Sequence, residues 1–119
     1  MKFWELVFSK RHEIVECFES SNSHLCSTYD ELNRFLIGRL KDAIDKYFES
    51  QNFQTLLSAI NIVEKRAQNA FKMSLKLIPE IYLDEKGDPI EVVIVVVINW
   101  NCIKNKTLEE AINKYLKSI

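Results

Sequence analysis

Three cysteines and two histidines are the side chains best able to hold a metal ion or attack a substrate, and their spacing decides how far that chemistry goes. Cys17, His24 and Cys26, with Cys102 as a fourth ligand, have the donor types of a zinc site. Structural zinc sites pair their ligands two to four residues apart, twice over; here only His24-Leu25-Cys26 is close, and the gap is too short. The cysteines therefore read as small buried thiols, and their odd number and irregular spacing suit a reducing cytoplasm. No metal and no cofactor is expected.

His12 and Glu16 are four residues apart and would share a helix face, as an acid-base pair must. His12 stands in the charge run Lys10-Arg11-His12-Glu13, however, where an ordinary ion pair is the simpler role. Neither Cys17 nor Cys26 has the helix-start or glycine-rich setting that activates a thiol nucleophile. Asp84, Glu85, Asp88 and Glu91 offer carboxylates for Mg²⁺ and phosphodiester hydrolysis. The lysine such a core needs at the end of its second strand is missing; Asn99-Trp100-Asn101 stands there. A solvated turn is the plainer reading of the acidic set. No phosphate-binding glycine loop, nucleophile elbow, His-Glu-x-x-His or calcium loop is present.

A basic set is better organised. Lys65, Asn69, Lys72 and Lys76 recur at three- to four-residue spacing with Arg66 and Gln68 alongside, and Lys104 and Lys106 would extend the patch. Such a face could hold a phosphate backbone. Sixteen basic against seventeen acidic residues give no overall field toward nucleic acid, and lysine-rich outer faces commonly serve only to keep helices solvated.

The elements that must position these residues are organised around Ile90 to Trp100, the most β-branched stretch of the chain. Stiff branched side chains fit a pleated sheet, so the stretch predicts a strand. Its even positions are all apolar, and Val93, Val95 and Val97 make the middle of the other face apolar too. The strand should be covered on both sides at its centre. A membrane span needs about 20 apolar residues, and Glu91 and Asn99 interrupt this run sooner.

Upstream, Trp4, Val7, Phe8, Ile14, Val15 and Phe18 predict a helix over Lys2 to Glu19, with a strand over Lys2 to Phe8 and a helix capped by Ser9 as the competing reading. Ser20-Ser21-Asn22-Ser23 predicts a loop. Ser27 or Thr28 should cap a second helix carrying Leu32, Phe35, Leu36, Leu40, Ala43, Ile44, Tyr47 and Phe48. After a turn at Ser50-Gln51-Asn52, a third helix carries Phe53, Leu56, Leu57, Ile60, Val63, Ala67, Ala70 and Phe71, antiparallel to the second. From Ser74 the pattern alternates toward a strand whose Pro79 requires a sheet edge; a turn at Gly87 leads to the central strand. Thr107, with Glu110, should cap a last helix through Leu108, Ala111, Ile112, Tyr115 and Ile119.

The expected fold is thus a single α+β domain over 1–119, ordered α-α-α-β-β-α. Two strands make a marginal sheet, so either the N-terminal residues add a third or a second copy completes it. The second option is preferred, with Val93, Val95, Val97 and Trp100 as the interface of a homodimer. The function expected is non-enzymatic: a cytoplasmic protein that binds another protein and self-associates through its β-hairpin. A nucleic-acid-binding regulator using Lys65, Arg66, Asn69, Lys72 and Lys76 is the second reading, and a metal-dependent phosphodiester hydrolase the third. The start Met1-Lys2-Phe3-Trp4-Glu5 has no signal-peptide progression, and no membrane association is expected. The Lys-, Ile- and Asn-rich, Gly-poor composition suits an AT-rich genome such as that of a virus or mobile element.

Overall fold

The computed structural model describes residues 2–11, 14–19 and 24–98. Among these, β1 (Lys2–Ser9) and β2 (Glu16–Glu19) come first, then α1 (Leu25–Thr28), α2 (Asp30–Ser50) and α3 (Phe53–Phe71), then β3 (Leu75–Leu83) and β4 (Pro89–Ile98). The strands form one antiparallel sheet in the order β2-β1-β4-β3. The order β-β-α-α-α-β-β corrects the expected α-α-α-β-β-α. The last helix expected, from Thr107, lies outside the described residues.

The correction begins at the N-terminus, where two periods compete for the same residues. Trp4, Leu6 and Phe8 alternate and are buried, whereas Ile14 and Phe18, which a helix would have turned inward, are 76% and 49% exposed. Tertiary demand explains the outcome: β4 is apolar on both faces and needs a neighbour on each edge. β1 pairs with β4 from Lys2↔Ile98 to Ser9↔Glu91, and β3 pairs along the other edge. The sheet is therefore completed within the chain by β1, which overturns completion by dimerisation.

The helical hairpin stands as its periodicity required. Leu32, Leu36, Leu40 and Ile44 of α2 and Leu56, Ile60, Val63 and Ala67 of α3 are buried. They share a core with Trp4, Leu6, Phe8, Leu75, Leu77, Val92, Ile94, Val96 and Ile98, one face of the sheet. The other face has its own smaller cluster of Val93, Val95 and Val97, packed with Phe3, Val7 and Ile78. The cap of α2 differs from expectation: Tyr29 occupies it without a side-chain bond, behind the single turn of α1. Asp30 and Glu31 in the first turn still suit the positive end of the helix. Asn52 caps α3 by accepting from the Thr55 amide at 3.2 Å. Gln51 and Lys72 close the two helices in the left-handed region, at φ 57° and 50°.

Candidate functional site

The structure separates most of the residues that could have done chemistry together. Cys17 and Cys26 are joined as a disulfide with their Cα atoms 6.1 Å apart, which corrects the reading of both as buried thiols and removes both as thiolate ligands. His24 is an exposed residue at the start of α1, and Cys102 and His12 lie outside the described residues. Glu16 begins β2 rather than sharing a helix with His12.

The acidic turn is a stitched β-turn. Asp84 Oδ1 accepts from the amides of Lys86 and Asp88, both at 2.9 Å, and the Gly87 amide donates to the Asp84 carbonyl at 3.0 Å. Gly87 takes φ 86°, where an L side chain would be strained. These bonds spend the Asp84 carboxylate on the turn, and Asp88 Oδ1 accepts from Gln51 Nε2 at 3.1 Å. Among the described residues no group of three metal-ligating side chains comes together.

The basic set does not form one helix face. Lys65, Arg66 and Asn69 stand exposed on α3, but α3 ends at Phe71, Lys72 is its cap, and Lys76 belongs to β3. Lys76 Nζ lies 3.9 Å from Glu64 Oε2. A cleft of about 420 Å³ beside the start of α2 is lined by Ser27, Thr28, Asp30, Glu31, Phe71 and Met73 among others, and among the described residues no histidine, cysteine or basic side chain lines it.

Two buried polar residues, not singled out by pattern, do structural work. Asn33 accepts from the Trp4 indole Nε1 at 2.7 Å and donates to the Cys26 carbonyl at 3.3 Å. Glu64, one of the few buried carboxylates a chain can keep when it is hydrogen-bonded, accepts from the Leu77 amide at 2.8 Å. One turn on, Gln68 Nε2 donates to the Leu75 carbonyl at 2.6 Å. Since alternate residues of an edge strand turn their polar groups outward, Leu75, Leu77 and Pro79 share the outer side of β3. There α3 satisfies the Leu75 carbonyl and the Leu77 amide, and Pro79 has no amide hydrogen to offer. The edge that the proline foretold thus offers a further strand fewer free groups at Leu75, Leu77 and Pro79.

Val93, Val95 and Val97 are 3%, 0% and 1% exposed, so their surface is already withdrawn from water within one chain. Trp100 lies outside the described residues. Apolar exposure collects elsewhere. Seven large apolar side chains stand exposed among the described residues, and five of them, Ile14, Phe53, Tyr82, Leu83 and Ile90, lie at one end. That end gathers the β1–β2, α2–α3 and β3–β4 connections, which Lys10 joins by donating its amide to the Ile90 carbonyl at 3.0 Å and Gln51 by its bond to Asp88. Leu83 and Ile90 flank the acidic turn, a signal legible in hindsight as apolar residues where a solvated turn needs none. Tyr82 donates to Glu80 Oε2 at 3.0 Å. That bond first, then burial and the charges of Glu80, Glu5 and Glu91, raise its pKa above the usual 10.0 and keep the phenol a neutral donor. No helix among the described residues is long and apolar enough to cross a membrane. No protein-family model, curated protein or solved structure matches the chain.

Proposed function

We propose that the protein is non-enzymatic and acts by binding protein surfaces, a second copy of itself among them, through the free end of its β3–β4 hairpin. The observation that carries this reading is the collection of Ile14, Phe53, Tyr82, Leu83 and Ile90 at one end, five of the seven large apolar side chains exposed among the described residues. Exposed apolar side chains gathered at one end and rimmed by charge mark a contact site more often than a solvent face. Lys10 and Arg11 on one side, and Glu85 on the other, supply exposed charges of both signs around it.

The test is solution mass by light scattering across a concentration series, for the wild type and for Leu83→Glu with Ile90→Glu. The expected result is a dimer that the double substitution converts to a monomer with its helical circular dichroism intact. A wild type that stays monomeric at the highest concentration reached would remove self-association.

A further inference from the structure

The disulfide stands apart from the hairpin end and has its own consequence. Cys17 belongs to β2, the shortest strand, which pairs with β1 alone and forms the sheet's second edge. Cys26 belongs to the single turn α1, so the bridge ties an edge strand to the helical layer. Two further contacts between described residues run the same way. Glu19 Oε2 accepts from the Leu25 amide at 2.6 Å, and Asn33 Nδ2 lies 3.8 Å from Cys17 Sγ. The main core, by contrast, is built from β1, β3, β4, α2 and α3 with the buried Leu25 of α1, while from β2 it takes only the partly buried Cys17, beside Val15 and Cys26. A covalent tie placed on the one element the core can spare is suited to regulate that element without governing the fold.

We propose that the Cys17–Cys26 pair is a reversible thiol modification site, a clasp whose oxidation by a small disulfide such as oxidised glutathione fastens β2 and whose reduction frees it. In the oxidising direction, one cysteine thiolate attacks the glutathione disulfide, forming a mixed disulfide and expelling one glutathione thiolate. The second cysteine thiolate then attacks the protein sulfur of that mixed disulfide and expels the other glutathione. One protein S–S bond forms, one glutathione S–S bond breaks, two electrons pass to glutathione, and the two protons leaving the protein thiols end on the glutathione thiols. Both cysteines are only half-buried, which leaves the sulfurs within reach of a small thiol.

The experiment equilibrates the full chain carrying Cys102→Ser, and the wild type beside it, in glutathione buffers of graded poise. Alkylation and peptide mass map which cysteines pair, and hydrogen exchange reads each segment in the two states. The expected result is a Cys17–Cys26 bridge in oxidised buffer, and on reduction a rise of about tenfold or more in exchange over Glu16–Glu19 and Leu25–Thr28 while α2, α3 and β4 keep their protection. Three results would overturn the proposal: no bridge in oxidised glutathione, equal exchange in both states, or loss of protection throughout the chain on reduction, which would make the bridge a global staple.

Discussion

Asn33 shows how much a single buried amide can carry. Its oxygen takes the indole hydrogen of Trp4, a fully buried ring stacked on Tyr29 at 5.0 Å, and its nitrogen serves the Cys26 carbonyl. Burial of an indole N–H without a partner forfeits its hydration and gains nothing in return. Asn33→Ala should therefore cost about 2–3 kcal/mol, read as a shift in the chemical-denaturation midpoint with an unchanged slope. Asn33→Asp turns a second oxygen toward the Cys26 carbonyl, so it should recover part of that loss only at pH values low enough to protonate the buried carboxyl, whose acid form can both accept from the indole and donate to the carbonyl. An unchanged midpoint for the alanine variant would show that the indole finds another acceptor. Nothing in the sequence marks Asn33 for this role. It falls beside the apolar stripe of α2 as any polar residue does, and only the arrival of β1 as a strand brings Trp4 to it.

At the scale of elements, the relation between α3 and β3 decides whether the sheet is open at its edge. Glu64 and Gln68 lie four residues apart, on the flank of α3 beside its buried stripe, and bond in turn to the Leu77 amide and Leu75 carbonyl. With Pro79 next along, β3 offers little of a ladder to another chain. Glu64→Leu with Gln68→Leu should orphan both backbone groups, lower stability by about 2–4 kcal/mol, and raise turbidity and thioflavin binding on mild heating. The single Glu64→Gln should do neither, since a side-chain amide can accept the same bond. The hairpin itself was legible: alternation from Leu75, a proline fit only for an edge, and a glycine for the turn each carry a local mechanism. The two long helices were legible for the same reason, because their 3.6-residue stripe is local. β1 was not, since Trp4, Val7 and Phe8 satisfy a helical stripe as well as Trp4, Leu6 and Phe8 satisfy a strand. The choice between them is made by β4, some ninety residues away in the chain.

Across the whole molecule, the two faces of the sheet divide into a large helical core and a small valine cluster, and the sequence showed the second as apolar without showing what dries it. A strand apolar on both faces reads equally as the centre of one sheet or as the seam between two copies. Burial in the single chain separates the cases: Val95 is 0% exposed with Glu5 and Ile78 as its cross-strand neighbours, whereas Leu83 and Ile90 stand 56% and 43% exposed. A lysine at position 95 replaces a fully buried valine and must carry its ammonium past Phe3, Val7 and Ile78 to reach even the cross-strand Glu5, a cost of several kcal/mol against a total stability of about 5–15 kcal/mol. Val95→Lys should accordingly lower the thermal transition by several kcal/mol, with helical and sheet signal lost together in that transition, whatever the protein's oligomeric state. Leu83→Glu and Ile90→Glu place their charges in solvent and should leave the thermal transition within about 0.5 kcal/mol of wild type while changing only the mass in solution. A Val95→Lys monomer as stable as the wild type would reverse the assignment, making the valine face a contact surface after all and the hairpin end an ordinary solvated tip.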